Sequence, residues 1–150
     1  MDKISLSKAF STHFIEFLNE MTILFPKNVE IRTFKTAVSQ IKRVNPSKLI
    51  KTWYNVVTVP FKDEIYVENF SFFELKDYAT DLKNTYYDND GIYKFIEEMK
   101  RSTLKMSHDN KKKTMKYLSN LTKMSEIASG MSFDDLFNEE KFEVELDLKG

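Results

Sequence analysis

At 150 residues the chain suits one domain with a substantial core, and 41% hydrophobic residues with Phe 13 and Tyr 7 make that core Phe-rich. Its 23 basic and 23 acidic residues cancel to a net charge of zero, which speaks against general adhesion to polyanions. With no cysteine, disulfides, Cys-based zinc sites and thiol nucleophiles are excluded, and three glycines leave no Gly-rich phosphate loop or dinucleotide fingerprint.

The first element reads as an amphipathic helix. Leu6, Phe10, Phe14, Phe17, Leu18, Met21, Leu24 and Phe25 recur at helical spacing, Ser5 or Ser7 is placed to cap it, and Pro26 closes it. After Asn28 a second run sets Ile31, Phe34, Ala37, Val38, Ile41 and Val44 on one side. Asn45-Pro46 offers a cap followed by proline at the first helical position, where its missing N–H costs nothing. The third helix carries Leu49, Ile50, Trp53, Tyr54 and Val57, and Pro60 stops it. Val56-Val57-Thr58-Val59 is also β-branched enough for a short strand, the one internal segment suited to pair with the C-terminus.

Beyond Pro60 a short helical turn leads into a fourth main helix from Ser71, with Phe72, Phe73, Leu75, Tyr78, Ala79 and Leu82. Residues 84–91 form a polar loop, and a fifth helix uses Ile92, Phe95, Ile96 and Met99. Ser107-His108-Asp109-Asn110 breaks it and caps a sixth, with Met115, Leu118, Leu121, Met124 and Ile127, which Gly130 ends in the C′ position. No segment approaches a membrane span, and Met1 to Ser5 show no apolar signal region, so the expectation is a soluble intracellular protein.

Groups for catalysis are scarce. His13 lies beside an apolar stripe and reads as a packed or surface residue, while His108 falls in the break between helices and reads as a capping-region residue. Asp77 and Asp81 share a helix face at i,i+4, a pair that can hold Mg²⁺ but is more often solvated. Asp88, Asp90, Gly91 and Glu97 fit positions 3, 5, 6 and 12 of an EF-hand loop, but position 1 falls on Tyr86, which has no carboxylate. The expectation is no catalytic residue, no metal site and no cofactor.

Charge is blocked along the chain. From Lys27 to Lys51 the bases Lys27, Arg32, Lys35, Lys42, Arg43, Lys48 and Lys51 face Glu30 alone. From Lys100 to Lys123 a second block, with Lys111, Lys112 and Lys113 at its centre, contains Asp109 as its single acid. Arg32, Lys35, Lys42, Arg43, Lys111, Lys112 and Lys113 are the candidate polyanion contacts, although Phe34 belongs to an apolar stripe and offers no stacking platform. Such segregation suits oriented docking, or simply a set of solvated helix faces.

The tail is the most distinctive stretch. Phe142, Val144, Leu146 and Leu148 alternate with Glu143, Glu145 and Asp147, the pattern of a strand with one apolar face. A strand without a partner tends to recruit another chain's sheet edge. Upstream, Phe133, Leu136 and Phe137 suit either a short docking helix or a final turn folded onto the body.

Phe17-Leu18, Phe25-Pro26, the run from Asn45-Pro46 to Trp53-Tyr54, Phe72-Phe73, Asp77-Tyr78, Met106 to Lys111, Lys116-Tyr117-Leu118 and Ser129-Gly130 follow one another in a familiar order. This succession resembles a family of small, mostly uncharacterised helical proteins encoded by large nucleocytoplasmic DNA viruses (giant viruses). The resemblance covers residues 10–130, and its motifs are packing motifs. It implies a viral protein and brings no catalytic residue, while the strand-like tail departs from the family pattern.

The expected fold is all-α: a compact bundle of five to seven helices over residues 1–130, with an extended, strand-like acidic C-terminal arm over 131–150. The expected function is that of a non-catalytic virion structural protein, a minor capsid or capsid-cementing component that links larger subunits. Its arm would add a strand to β-rich capsid proteins, placing it in the virion and, during assembly, in the host cytoplasm. One alternative is a nucleic-acid packaging accessory using the basic helices, and another is an intracellular adaptor for host proteins.

Overall fold

A computed structural model of the chain describes residues 2–69 and 90–130, with side chains described throughout except at 90–96. The described residues are helical, with no strand among them. Helix α1 spans Lys3–Leu24. Its cap is Asp2, not Ser5 or Ser7: the Asp2 carboxylate accepts the Ser5 backbone N–H at 2.7 Å. That hydrogen bond holds the Asp2 carboxyl below its usual pKa. Ser7 is instead buried one turn inside the helix.

Helix α2, Val29–Val44, starts at Asn28 as its sequence predicts, with the Asn28 side chain accepting the Ile31 N–H at 3.0 Å. Helix α3, Pro46–Trp53, begins on proline. Pro60 does not stop it. A π-helical turn, Tyr54–Thr58, follows directly and passes into α4, Val59–Tyr66, so the segment is one helical rod with Pro60 near the start of its second half. The strand alternative for Val56 to Val59 is thereby overturned. In a regular α-helix the Pro60 ring would meet the Val56 carbonyl four residues back, and the wider π turn removes that clash. Burial of Val56 and Thr58 against α6 holds this stretch helical.

Helix α5 spans Asp90–Thr103, and α6 spans His108–Gly130. Ser107 caps α6 by accepting the Asn110 N–H at 3.2 Å. Gly130 is the last helical residue, and no described glycine has positive φ, so it is not the left-handed C′ residue expected. The fourth main helix expected from Ser71, residues 84–89 of the expected loop and the arm lie outside the described residues, while Asp90 and Gly91, expected in that loop, are already helical in α5.

Helix α1 is the hub. Phe10, Phe14, Phe17, Leu18 and Met21 are buried, and α2, α3 and α6 all pack on this helix. Trp53 meets Phe14 edge-on at 5.3 Å and Phe10 at 6.0 Å. Such aromatic pairs add about 0.5–1.5 kcal/mol beyond their burial. Across from Trp53, α6 presents Thr122, Ser125 and Ala128, small enough for close approach, and the indole Nε1–H donates to Thr122 Oγ1 at 3.2 Å. Several expected core positions turn outward instead: Leu24, Ala37, Val44 and Ile127 are exposed, because each lies at a helix end or on the rim of its stripe.

Candidate functional site

The basic block of the second helix resolves into two groups. On α2, Ile31, Phe34, Val38 and Ile41 face the core, which turns Arg32, Thr36, Ser39, Gln40 and Arg43 away from it. Together with Lys35 and Thr22 of α1, these residues line a groove of about 400 Å³. The lining contains three cations, three hydroxyls and one amide, and no acid. Among the described ion pairs none involves Arg32, Lys35 or Arg43. Arg32 donates through Nη1 to the Pro26 carbonyl at 2.8 Å, which anchors that guanidinium at the mouth of the α1–α2 turn. From Arg32 to Arg43 the helix rises about 16 Å.

Lys42 leaves the group: its Nζ crosses to α1 and donates to Thr12 Oγ1 at 3.2 Å. Lys51 leaves it too, being only 3% exposed inside the bundle. The hydroxyls and Gln40 were missed by a search for charge alone. The signal that finds them is the helical wheel, which puts Thr36, Ser39 and Gln40 on the face of Arg32 and Arg43.

The second block lines a different surface. Lys113 and Lys116 of α6 meet His13, Phe17, Glu20 and Met21 of α1 across a cleft of about 410 Å³. Here Glu20 stands among the cations, and Lys112 points to solvent. His13 stacks on Tyr117 at 4.9 Å, its Nδ1 3.5 Å from a Glu16 carboxylate oxygen, so it is a packed histidine. Burial, followed by the nearby charges of Glu20 and Glu16, raises the Tyr117 hydroxyl above its usual pKa. The two basic blocks therefore flank α1 on separate grooves and do not form one continuous surface.

The remaining candidates sort simply. His108 is exposed at the first position of α6, in the capping region. The backbone is helical from Asp90 through Glu97, so the last eight positions of the EF-like motif cannot wrap a cation as a loop does. Among the described residues no three His, Asp or Glu side chains gather as metal ligands. Asp77, Asp81, Asp88, Phe133, Leu136, Phe137, Phe142, Val144, Leu146 and Leu148 lie outside the described residues. No described helix is long and apolar enough to cross a membrane. Compared with protein-family models, curated proteins and solved structures, the chain matches none.

Proposed function

We propose that this chain is a non-catalytic accessory protein of a large DNA virus that holds nucleic acid by its phosphates along α2, the packaging reading of the sequence. One observation carries it: Arg32, Lys35 and Arg43 line a single groove without an acid in it, spread over about three helical turns. Guanidinium and ammonium groups recognise phosphate oxygens regardless of base, and the hydroxyls and amide supply further donors. No aromatic ring lines the groove to stack a base, so recognition is of backbone and not of sequence.

Fluorescence anisotropy of labelled single-stranded and duplex oligonucleotides across a salt series tests this. The expected affinity falls linearly in log–log form, with a slope of about −0.7 per contacted phosphate for single strands and about −0.9 for duplex. Absence of binding at low salt overturns the reading.

The capsid-linking reading stays second, supported by the alternation of Phe142, Val144, Leu146 and Leu148. It predicts that Val144→Pro blocks incorporation into particles, because proline removes a ladder N–H. Particle incorporation measured by mass spectrometry decides it, and equal incorporation of the variant ends that reading.

A further inference from the structure

The charges of this chain are divided between its body and its end. Residues 131–150 hold seven of the 23 acids and only Lys141 and Lys149 of the 23 bases, which leaves 21 bases against 16 acids in residues 1–130. The zero net charge is thus the balance of a basic body and an acidic tail. The three cations of the α2 groove have no acid partner among the described ion pairs.

Charge, not reach, distinguishes the two basic surfaces for the tail, because the α6 cleft already holds Glu20 and the α2 groove has no acid. Helix α6 runs antiparallel to α1, since the cleft between them brings Asn110 beside Leu24 while His13 stacks on Tyr117 further along. Helix α2 also returns antiparallel to α1 after a short turn, with Lys42 reaching Thr12. Arg43 follows Lys42, which reaches Thr12 in the middle of α1, so of the groove's three cations Arg43 lies furthest along toward the Gly130 end of α6. Lys111, Lys112 and Lys113, on the first turns of α6, lie toward the end of α1 that carries Thr22 and with it the Arg32 end of the groove. Twenty residues of extended chain reach about 65–70 Å, roughly twice the length of α1 at about 33 Å.

We propose that the acidic C-terminal segment of the same chain docks in cis on the α2 groove and competes there with nucleic acid. The inference rests on the phosphate-binding reading of that groove and adds its regulation. Asp134, Asp135, Glu139 and Glu140 are the first acids in the chain after α6, and their carboxylates suit the same cations that would hold phosphate. Free nucleic acid displaces the tail by mass action, so weak or isolated polyanions are excluded while a long strand with many phosphates prevails.

The test uses the full chain and a variant carrying Asp134→Asn, Asp135→Asn, Glu139→Gln and Glu140→Gln. Amide NMR of the two proteins without ligand should differ chiefly along residues 32–43. The difference should vanish at roughly 1 M salt, where the screening length is about 3 Å. Oligonucleotide binding should tighten in the variant, by roughly fivefold if the tail covers the groove about four-fifths of the time. That gain should disappear when Lys35→Gln and Arg43→Gln are added, whereas a mere change in overall charge would persist. Unchanged α2 resonances, or changes centred on Lys111 to Lys113, overturn the proposal. Shifts that grow with protein concentration also overturn it, because they place a second copy's tail in the groove. If α2 responds to the tail variant but neither protein binds oligonucleotide, the tail contact stands and the nucleic-acid reading falls.

Discussion

Glu68 holds φ at 54°, a left-handed conformation that costs a residue with a Cβ about 1–2 kcal/mol. It is held there by the end of α4, where the Asn69 N–H donates to the Glu64 carbonyl at 2.9 Å and the Glu68 N–H to Ile65 at 3.1 Å. Glycine fits this place better, so Glu68→Gly should stabilise the protein by about 0.5–1 kcal/mol after its greater freedom in the unfolded chain is counted. Urea unfolding with an unchanged m-value checks the gain. Two residues earlier, the Tyr66 hydroxyl donates to Glu126, which Lys62 approaches at 3.4 Å. Burial first, and then the hydrogen bond and charge of Glu126, raise the Tyr66 pKa above its usual 10.0. The folded state holds the phenol proton more tightly than the unfolded chain, so this contribution is complete below pH 10 and is lost as pH rises through the folded value. Tyr66→Phe should cost about 1 kcal/mol at neutral pH, allowing for solvent screening at this half-buried pair. The gap between the two proteins should narrow above pH 10, and a gap that stays constant there would detach the tyrosine from Glu126.

At the scale of elements, the π turn shows what periodicity can and cannot carry. Proline and a β-branched run give the same sequence signal for a stop, a strand or a widened turn. What separates them is tertiary: Phe61 and Ile65 are buried one and two turns later, and Thr58 lies 2.6 Å from Ser125 of α6. Adding one residue to the turn rotates everything beyond it by about 100°, which aims those side chains at the core. Pro60→Ala should therefore change stability by less than about 1 kcal/mol, since the residue is exposed and the turn is held by its neighbours. Deleting Asn55 should cost more than about 3 kcal/mol by swinging Phe61 and Ile65 out of register. Thermal unfolding of both variants checks this, and a neutral deletion would mean the turn sets no register. The cap in the Ser107 to Asn110 break was legible, whereas Asn45, expected to cap α3, makes no side-chain capping hydrogen bond, and Asn28 was legible only as the residue before a helical run. At α1 the helix begins before its first apolar residue, Ile4, which stays exposed, so Asp2 was hidden behind two plausible serines.

For the whole molecule, the sequence stripes found most of the core because α1 contributes six of its buried hydrophobic side chains, spaced for one wide face. The site was legible only as a list of charges. Arg32, Lys35 and Arg43 gather in one groove, but nothing in a linear count removes Lys42 to Thr12, buries Lys51, or sets Glu20 among the α6 lysines. Those are consequences of how helices pack, and they divide the two basic blocks into one groove with an acid and one without. Binding and stability should accordingly separate. Leu18→Ala, at a fully buried position of the hub helix, should destabilise by about 2–5 kcal/mol and lower the melting temperature sharply. Lys35→Gln with Arg43→Gln removes two groove charges that no described ion pair uses, and should shift stability by no more than about 1 kcal/mol. The same pair should flatten the log–log salt slope of duplex binding by about 1.8, two phosphates at about 0.9 each. Lys112→Gln with Lys113→Gln, on the far side of α1, should leave that slope nearly unchanged. If both pairs lower it equally, the protein attracts nucleic acid through its overall field, and the α2 groove has no privileged part in holding it.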